Sequence, residues 1–192
     1  MAKLYFNYSS MNAGKSTVLL QAAYNYKERG MKVLLLIAAF DDRAGKGTIA
    51  SRIGLSADAD VFNAEDNVFE HVRNAHETEK IDALFVDEAQ FLTEEQVWQL
   101  ARISDELRIP VLCFGLRTDF QGKLFPGSAA LLAISDSLKE IKTICWCGRK
   151  ATMVARLDGE GRIVEEGDQV VIGGNETYVP LCRKHWYRRE LG

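Results

Sequence analysis

A chain of 192 residues is long enough for one well-buried domain and a small second module, but not for two full domains. Its 24 Lys+Arg against 27 Asp+Glu leave a formal net charge of −3, which argues against a protein whose main work is gripping nucleic acid. No apolar run approaches the roughly 18 residues that a membrane span needs, and the opening Met1–Asn7 is not a signal peptide. These features point to a cytoplasmic globular protein, where the four cysteines are read as metal ligands sooner than as disulfides.

In chain order, the apolar runs Leu4–Tyr8, Val33–Ala39, Ala83–Val86 and Val111–Leu116 predict strands of a parallel sheet covered on both faces. Between the first two, a helix follows Gly14 with Leu19, Leu20, Ala23 and Tyr24 at helical spacing and stops at Gly30. The segment Asp41–Gly54 has no period; its glycines with Arg43, Lys46 and Arg52 read as a mobile basic loop, either a solvated connector or a phosphate-facing one. Glu65–Glu79 predicts a helix with Val68, Val72 and Ala75 inward, and its His71 and His76 read as surface residues. Another helix opens at a capping box, Thr93 with Gln96, and turns Val97, Leu100, Ala101 and Leu107 to one face until Pro110 bars its continuation. Strand–helix alternation of this kind means an α/β domain, here residues 1–141. Residues 142–192 differ in character: three of the four cysteines lie there, and glycines punctuate short β-like runs, with Asp158–Gly161 predicting a hairpin turn.

Ser9-Ser10-Met11-Asn12-Ala13-Gly14-Lys15-Ser16 lies between a predicted strand and a predicted helix. It matches the phosphate-loop pattern G-x-x-x-x-G-K-[ST] except at Ser9. Gly14 lets the backbone approach the phosphates, and the helix N-terminus offers free N–H groups to the anion. Lys15 reaches the β- and γ-phosphates of ATP, and the Ser16 hydroxyl is placed for Mg²⁺. The strand Ala83–Val86 runs into Asp87 and Glu88, at the sheet edge where ligands of open α/β folds bind. Asp87 is the candidate Mg²⁺-side carboxylate, and Glu88, projecting elsewhere by strand alternation, is the candidate general base. The pair alone leaves open whether the nucleophile is water or a substrate hydroxyl.

Cys145-x-Cys147 and Cys182-x-x-His185 supply the thiolate and imidazole ligands that close a structural zinc site. Such a site would be worth an apparent ~10–16 kcal/mol of folding free energy to so small a module. Cys113, alone in an apolar run, reads as core.

Taken together, Ser10–Ser16, Asp87-Glu88-Ala89-Gln90-Phe91, Gly115–Phe120, Cys145-x-Cys147 and Val171-Ile172-Gly173-Gly174 leading to Tyr178 resemble the zinc-containing (type II) thymidine kinases, from about Leu4 to Tyr187. The resemblance implies a RecA-like P-loop sheet flanked by helices, plus a small zinc-bound lasso over the nucleoside. It implies transfer of the γ-phosphoryl of ATP to the 5′-hydroxyl of thymidine or deoxyuridine, dTTP as feedback inhibitor, and a homotetramer. Carried over, Glu88 takes the hydroxyl proton, Asp87 supports Mg²⁺, and Gln90 and Arg43 lie beside the nucleotide. Met11, Phe91, Leu116, Phe120 and Tyr178 form the wall around the base. The backbone of Gln169, Val170, Val171, Ile172 and Gly173 would meet the pyrimidine edge, since extended backbone alternates donor and acceptor as thymine's edge requires. Many members carry glycine at the place of Ser9, C-x₂-C at the knuckle and cysteine at the place of His185. The competing reading is a nucleic-acid-stimulated RecA-like P-loop ATPase, motivated by the basic run Arg183–Arg189 and opposed by the acidic net charge.

Overall fold

The computed structural model describes residues 1–39, 47–171 and 177–192. The chain opens with strand β1 (Leu4–Ser9), turns through residues 10–14 into helix α1 (Lys15–Glu28), and continues to strand β2 (Val33–Ala38). Three short strands follow, β3 (Thr48–Ala50), β4 (Ser56–Asp58) and β5 (Asp60–Phe62), then helix α2 (Val68–Thr78) and strand β6 (Ala83–Asp87). A 3-10 turn at Ala89–Phe91 leads to helix α3 (Glu94–Glu106), strand β7 (Val111–Leu116), helix α4 (Pro126–Ile134) and strand β8 (Ser137–Glu140). The remainder holds β9 (Thr143–Ile144), β10 (Lys150–Ala151), β11 (Met153–Leu157), β12 (Ile163–Val164), β13 (Tyr178–Leu181) and helix α5 (Arg183–Arg188).

Six strands form one parallel sheet in the order β5-β2-β6-β7-β1-β8. Period-2 alternation sends successive side chains to opposite faces, and both faces are covered. Phe6, Leu36, Leu84, Val86 and Cys113 pack with Phe69 and Val72 of α2, Leu100 and Ile103 of α3 and Leu131 of α4. Leu35, Ile37, Phe85 and Phe114 face the other way, onto Leu19, Leu20 and Ala23 of α1. Burial on both sides explains why these strands read as continuous apolar runs. Neighbouring β7 sits between β1 and β6, so the carboxyl ends at Ser9, Leu116 and Asp87 share one edge.

Most expected elements are present, with differences that have local causes. Tyr24 is exposed while Tyr26 packs edge-on against Phe85, because the buried stripe of α1 runs through Leu19, Leu20 and Ala23. Helix α2 starts later than Glu65, since Asn67 caps the Glu70 N–H and Asp66 closes a turn on Asn63. His71 is exposed beside Asp60, whereas half-buried His76 accepts the Ile81 N–H through Nδ1. Part of the aperiodic basic stretch is ordered as β3, paired antiparallel to β4; residues 40–46 lie outside the described residues. The capping box Thr93–Gln96 is formed, and the hairpin β11–β12 turns at Asp158–Gly161. Cys113 is fully buried, and burial holds its thiol well above the usual range. Among the described residues no helix is long and apolar enough to cross a membrane.

Helix α4 has no amphipathic stripe to announce it. Its close seat explains Gly127: a Cβ there would lie 2.6 Å from the Ala89 carbonyl and 2.7 Å from that of Leu92. Ser128 then donates to the Leu116 carbonyl, tying the same helix to the end of β7. Gly127→Ala is expected to push α4 off the 89–92 turn and cost about 1–3 kcal/mol of stability, the usual range for overpacking, readable by urea unfolding.

Candidate active site

Residues 10–14 form the phosphate loop between β1 and α1. Gly14 adopts a left-handed φ of 81° as the N-cap of α1, a conformation glycine holds without cost, and Asn12 is left-handed at φ 63°. Ser9 ends β1 in ordinary extended geometry, buried, its hydroxyl donating to the Ser10 carbonyl, so this position has no need of glycine. The first helical acceptor is Gly14 O, taken by Val18 N–H at 3.0 Å, so the amides before it lie at the N-terminal end of α1, the end at which helices attract anions.

The loop is joined to the acidic strand end by one bond. Ser16 Oγ donates to Asp87 Oδ2 at 2.8 Å, while Asp87 Oδ1 accepts the Glu88 N–H at 3.0 Å. Burial first, and the charge of Glu88 second, push the Asp87 carboxyl up to about 7, against the pull of the Ser16 hydroxyl and Lys15. Glu88 does leave the direction of Asp87, but not by strand alternation: β6 ends at Asp87 and Glu88 turns in left-handed backbone at φ 51°. Its carboxylate accepts from Gln90 Nε2 at 2.5 Å, and Gln90 Oε1 accepts the Leu116 N–H at 2.9 Å. Gly115 leaves room for this amide, because a Cβ there would lie 3.0 Å from Gln90 Oε1. Gln90 therefore braces Glu88 against the end of β7.

These groups line one cleft of about 580 Å³. Met11, Asn12, Gly14, Lys15 and Ser16 form its phosphate-loop side, with Asp87, Glu88 and Gln90 beneath. Phe91, Leu116, Phe120 and Tyr178 form an apolar wall, with Gln169, Val170 and Val171 along the rim. Ser9, Ser10 and Ala13 support the loop without lining the cleft. Arg43, Ile172 and Gly173 lie outside the described residues. Two features escaped the sequence reading. The Tyr178 hydroxyl donates to the Val171 carbonyl at 2.8 Å and accepts its N–H at 3.2 Å, so Val171's N–H is already engaged. Buried Asp119 also lines the cleft; it stands inside the Gly115–Phe120 motif, but only the three-dimensional structure gives it a partner.

The four ligand atoms of Cys145, Cys147, Cys182 and His185 lie within 4.8 Å of one another. Cys145 Sγ is 3.4 Å from His185 Nδ1, and Cys147 Sγ is 4.0 Å from Cys182 Sγ. A tetrahedral zinc with Zn–S bonds of about 2.3 Å has ligand–ligand edges of about 3.8 Å, so the set fits such an ion. Burial opposes ionisation of Cys145, yet backbone hydrogen bonds at Cys147 and Cys182, with His185 and the Cys147 thiol, bring it down to about 6, favouring the thiolate a metal takes. The ring of His185 is stacked on Trp146, centroids 4.3 Å apart, which fixes its plane. The shortened knuckle closes because left-handed Gly148 turns its N–H back to the Cys145 carbonyl at 2.9 Å.

Comparison with known proteins decides the family. The thymidine kinase family model matches residues 2–186. The chain belongs to the thymidine kinase family. A thymidine kinase of Rhizobium meliloti (strain 1021) is 66% identical over 188 residues, covering 97% of this chain and 96% of that protein. One of Ruegeria pomeroyi is 66% identical over 186 residues, covering 97% and 94%. Among solved structures, Pif1 helicase from Candida albicans aligns over 74% of this chain and 36% of its own, with a TM-score of 0.40 and 15% identity, a likeness too slight for any argument. In thymidine kinase terms, the chain has brought the phosphate loop, acid pair and aromatic wall into one cleft.

The raised Asp87 predicts a pH-dependent cost. The folded state holds this proton until about pH 7 and the unfolded chain loses it near 3.8, so the cost to stability builds as pH rises between them. Asp87→Asn should therefore raise the Tm of metal- and nucleotide-free protein at pH 8 and leave it nearly unchanged at pH 4, as calorimetry would read.

Proposed function

We propose that this chain transfers the γ-phosphoryl group of ATP to the 5′-hydroxyl of thymidine, and of deoxyuridine, forming the nucleoside monophosphate. The observation that carries the reading is the buried Glu88 carboxylate, braced by Gln90, in the same cleft as the phosphate loop and an apolar wall sized for a base. The loop amides and Lys15 hold the β- and γ-phosphates, with Arg43 approaching them. The base lies against Met11, Phe91, Leu116, Phe120 and Tyr178, with backbone of residues 169–173 along its edge. Glu88 accepts the 5′-hydroxyl proton as O5′ bonds to the γ-phosphorus, the bond from that phosphorus to the β,γ-bridging oxygen breaks, and ADP leaves. Ser16 and Asp87 would hold Mg²⁺, whose charge would offset the burial and, second, the Glu88 charge that raise Asp87; when bound it would neutralise phosphate charge.

On this reading residues 1–141 are the ATP-binding domain and 142–192 a zinc-bound lasso domain, with Cys145, Cys147, Cys182 and His185 as ligands. The reading extends to dTTP as feedback inhibitor, because it offers the cleft both a thymine for the wall and phosphates for the loop. A homotetramer belongs to the reading on the strength of the family resemblance.

Glu88→Gln should lower kcat about 10²–10⁴-fold with thymidine KM little changed. Lys15→Ala should remove turnover altogether. An unaffected rate in Glu88→Gln would remove that residue from the chemistry. Metal analysis of protein purified without added zinc should find one zinc per chain. Cys147→Ser and His185→Ala should lose the metal and several kcal/mol of the ~10–16 kcal/mol a structural zinc supplies; full metal and stability in both would refute the site.

A further inference from the structure

Arg156 is an oddity of the second module: a charged side chain on the otherwise apolar strand β11 (Met153-Val154-Ala155-Arg156-Leu157), only 6% exposed. Burying a guanidinium is costly unless its donors are satisfied. Here Nη1 donates to the Asp168 carbonyl at 2.6 Å and Nη2 to the Glu166 carbonyl at 3.4 Å. The guanidinium carbon lies 3.8 Å above the centre of the Phe120 ring, a cation–π contact. Gly167 fits this arrangement, since a Cβ there would come 2.6 Å from Arg156 Nη2, and its φ of 131° suits glycine.

A second anchor follows directly in the chain. Asp119, 3% exposed, uses Oδ1 to accept the N–H groups of Gln121 and Lys123, and Oδ2 to accept Gln169 Nε2 at 2.9 Å. The Gln169 side chain is thus turned to the β7–α4 connection. The Tyr178 hydroxyl then holds Val171 at both backbone groups. Residues 166–171 are therefore pinned at three successive places, and one of the pins, Arg156, rests on the same Phe120 ring that walls the cleft.

We propose that Arg156 and Asp119 are positioning residues for the nucleoside: Arg156 locks the Glu166–Asp168 backbone to the Phe120 ring, and Asp119 locks Gln169, so the base wall and the backbone edge beside it are held as one unit. This rests on the nucleoside-site reading above. Its physical content is preorganisation: backbone held in place before binding is not ordered at the ligand's expense. The phosphate loop meets this unit through Asn12, whose Nδ2 donates to the Tyr178 carbonyl at 3.5 Å, and through Met11 packed beside Phe120 and Tyr178, but it makes none of the bonds of Arg156 or Gln169, so loosening those should weaken thymidine far more than ATP.

The test compares Arg156→Met, Arg156→Lys and Gln169→Leu by steady-state kinetics in both substrates, with hydrogen exchange of residues 166–171 in the ligand-free protein. Arg156→Met should raise thymidine KM about tenfold or more and ATP KM less than about twofold, the split expected when only one substrate's seat is loosened. Arg156→Lys should recover only part of this, because lysine lacks the planar two-donor fork. Gln169→Leu should raise thymidine KM about fivefold, the worth of one hydrogen bond, and exchange at 166–171 should quicken in Arg156→Met and Gln169→Leu. Thymidine KM within twofold of the parent in Arg156→Met and Gln169→Leu, or equal rises for thymidine and ATP, would overturn the proposal. If Arg156→Met does not fold, Gln169→Leu decides alone. Absence of thymidine turnover in the parent would instead sink the functional reading, with the exchange data still testing the anchors.

Discussion

The hydrogen bond from Ser16 Oγ to Asp87 Oδ2 is the contact on which the site depends. It joins the first turn of α1, which follows β1, to the end of β6; β7 separates β1 from β6 in the sheet, and the bonded residues lie some seventy apart in the chain. The register pairs Ser9 with Leu116 but Val86 with Cys113, so β6 ends short of β1 and β7, and the bond depends on the loop after β1 returning Ser16 to the level of Asp87. The same convergence brings the Leu116 N–H to Gln90, and Gln90 to Glu88. Glu88 is thus held by the end of the sheet itself and needs no flexible loop to aim it.

Such a site is costly in the empty protein. Two adjacent carboxylates are buried, one with its proton held to about pH 7, and Glu88 sits in a left-handed backbone conformation uncommon for a residue with a side chain. The doubly covered sheet and the closely seated α4 are what hold these groups in place. The second module contributes differently. Its own core is small, centred on Ala151, Ala155 and Leu181 beside the cysteines, so the Cys–His cluster and the docking onto the sheet domain hold it together. That docking pairs an apolar contact of Phe120 and Met11 with Val154 and Tyr178 with polar bonds that reach the phosphate loop: Ser10 donates to the Ala151 carbonyl, Thr143 to that of Asn12, and Arg117 to that of Thr152. Trp186 adds a donor shared between the Phe120 and Val154 carbonyls.

Much of this was legible in the residues because the relevant signals are local. A glycine-lysine-serine turn after an apolar run, an acid pair ending another, and a Thr93–Gln96 box each encode their structure within a few positions. The Cys–His cluster was legible because thiolate and imidazole chemistry leaves few other uses for that spacing. What escaped depends on contacts distant in sequence. Helix α4 is built almost wholly of small and apolar residues, so its exposed Pro126, Ala129 and Ala133 mark no polar face, and β8 is a short, mixed edge strand that only its pairing with β1 defines. Asp119 and Arg156 carry no local signal of their partners, since Gln169 is fifty residues from Asp119 and the Phe120 ring lies in the β7–α4 connection, far from Arg156 in the chain. Glu88 was assigned its role for a reason the backbone does not support: a left-handed turn, not strand alternation, aims it.

The central claim is that the γ-phosphoryl group goes to a thymidine hydroxyl held beside Glu88, and not to water. The most direct measurement follows the label of γ-labelled ATP in a reaction with thymidine. The account predicts that the label appears in dTMP, one for each ADP formed, with little release as inorganic phosphate whether or not DNA is present. Label appearing as inorganic phosphate at the same rate without thymidine, or accelerated by DNA, would contradict it.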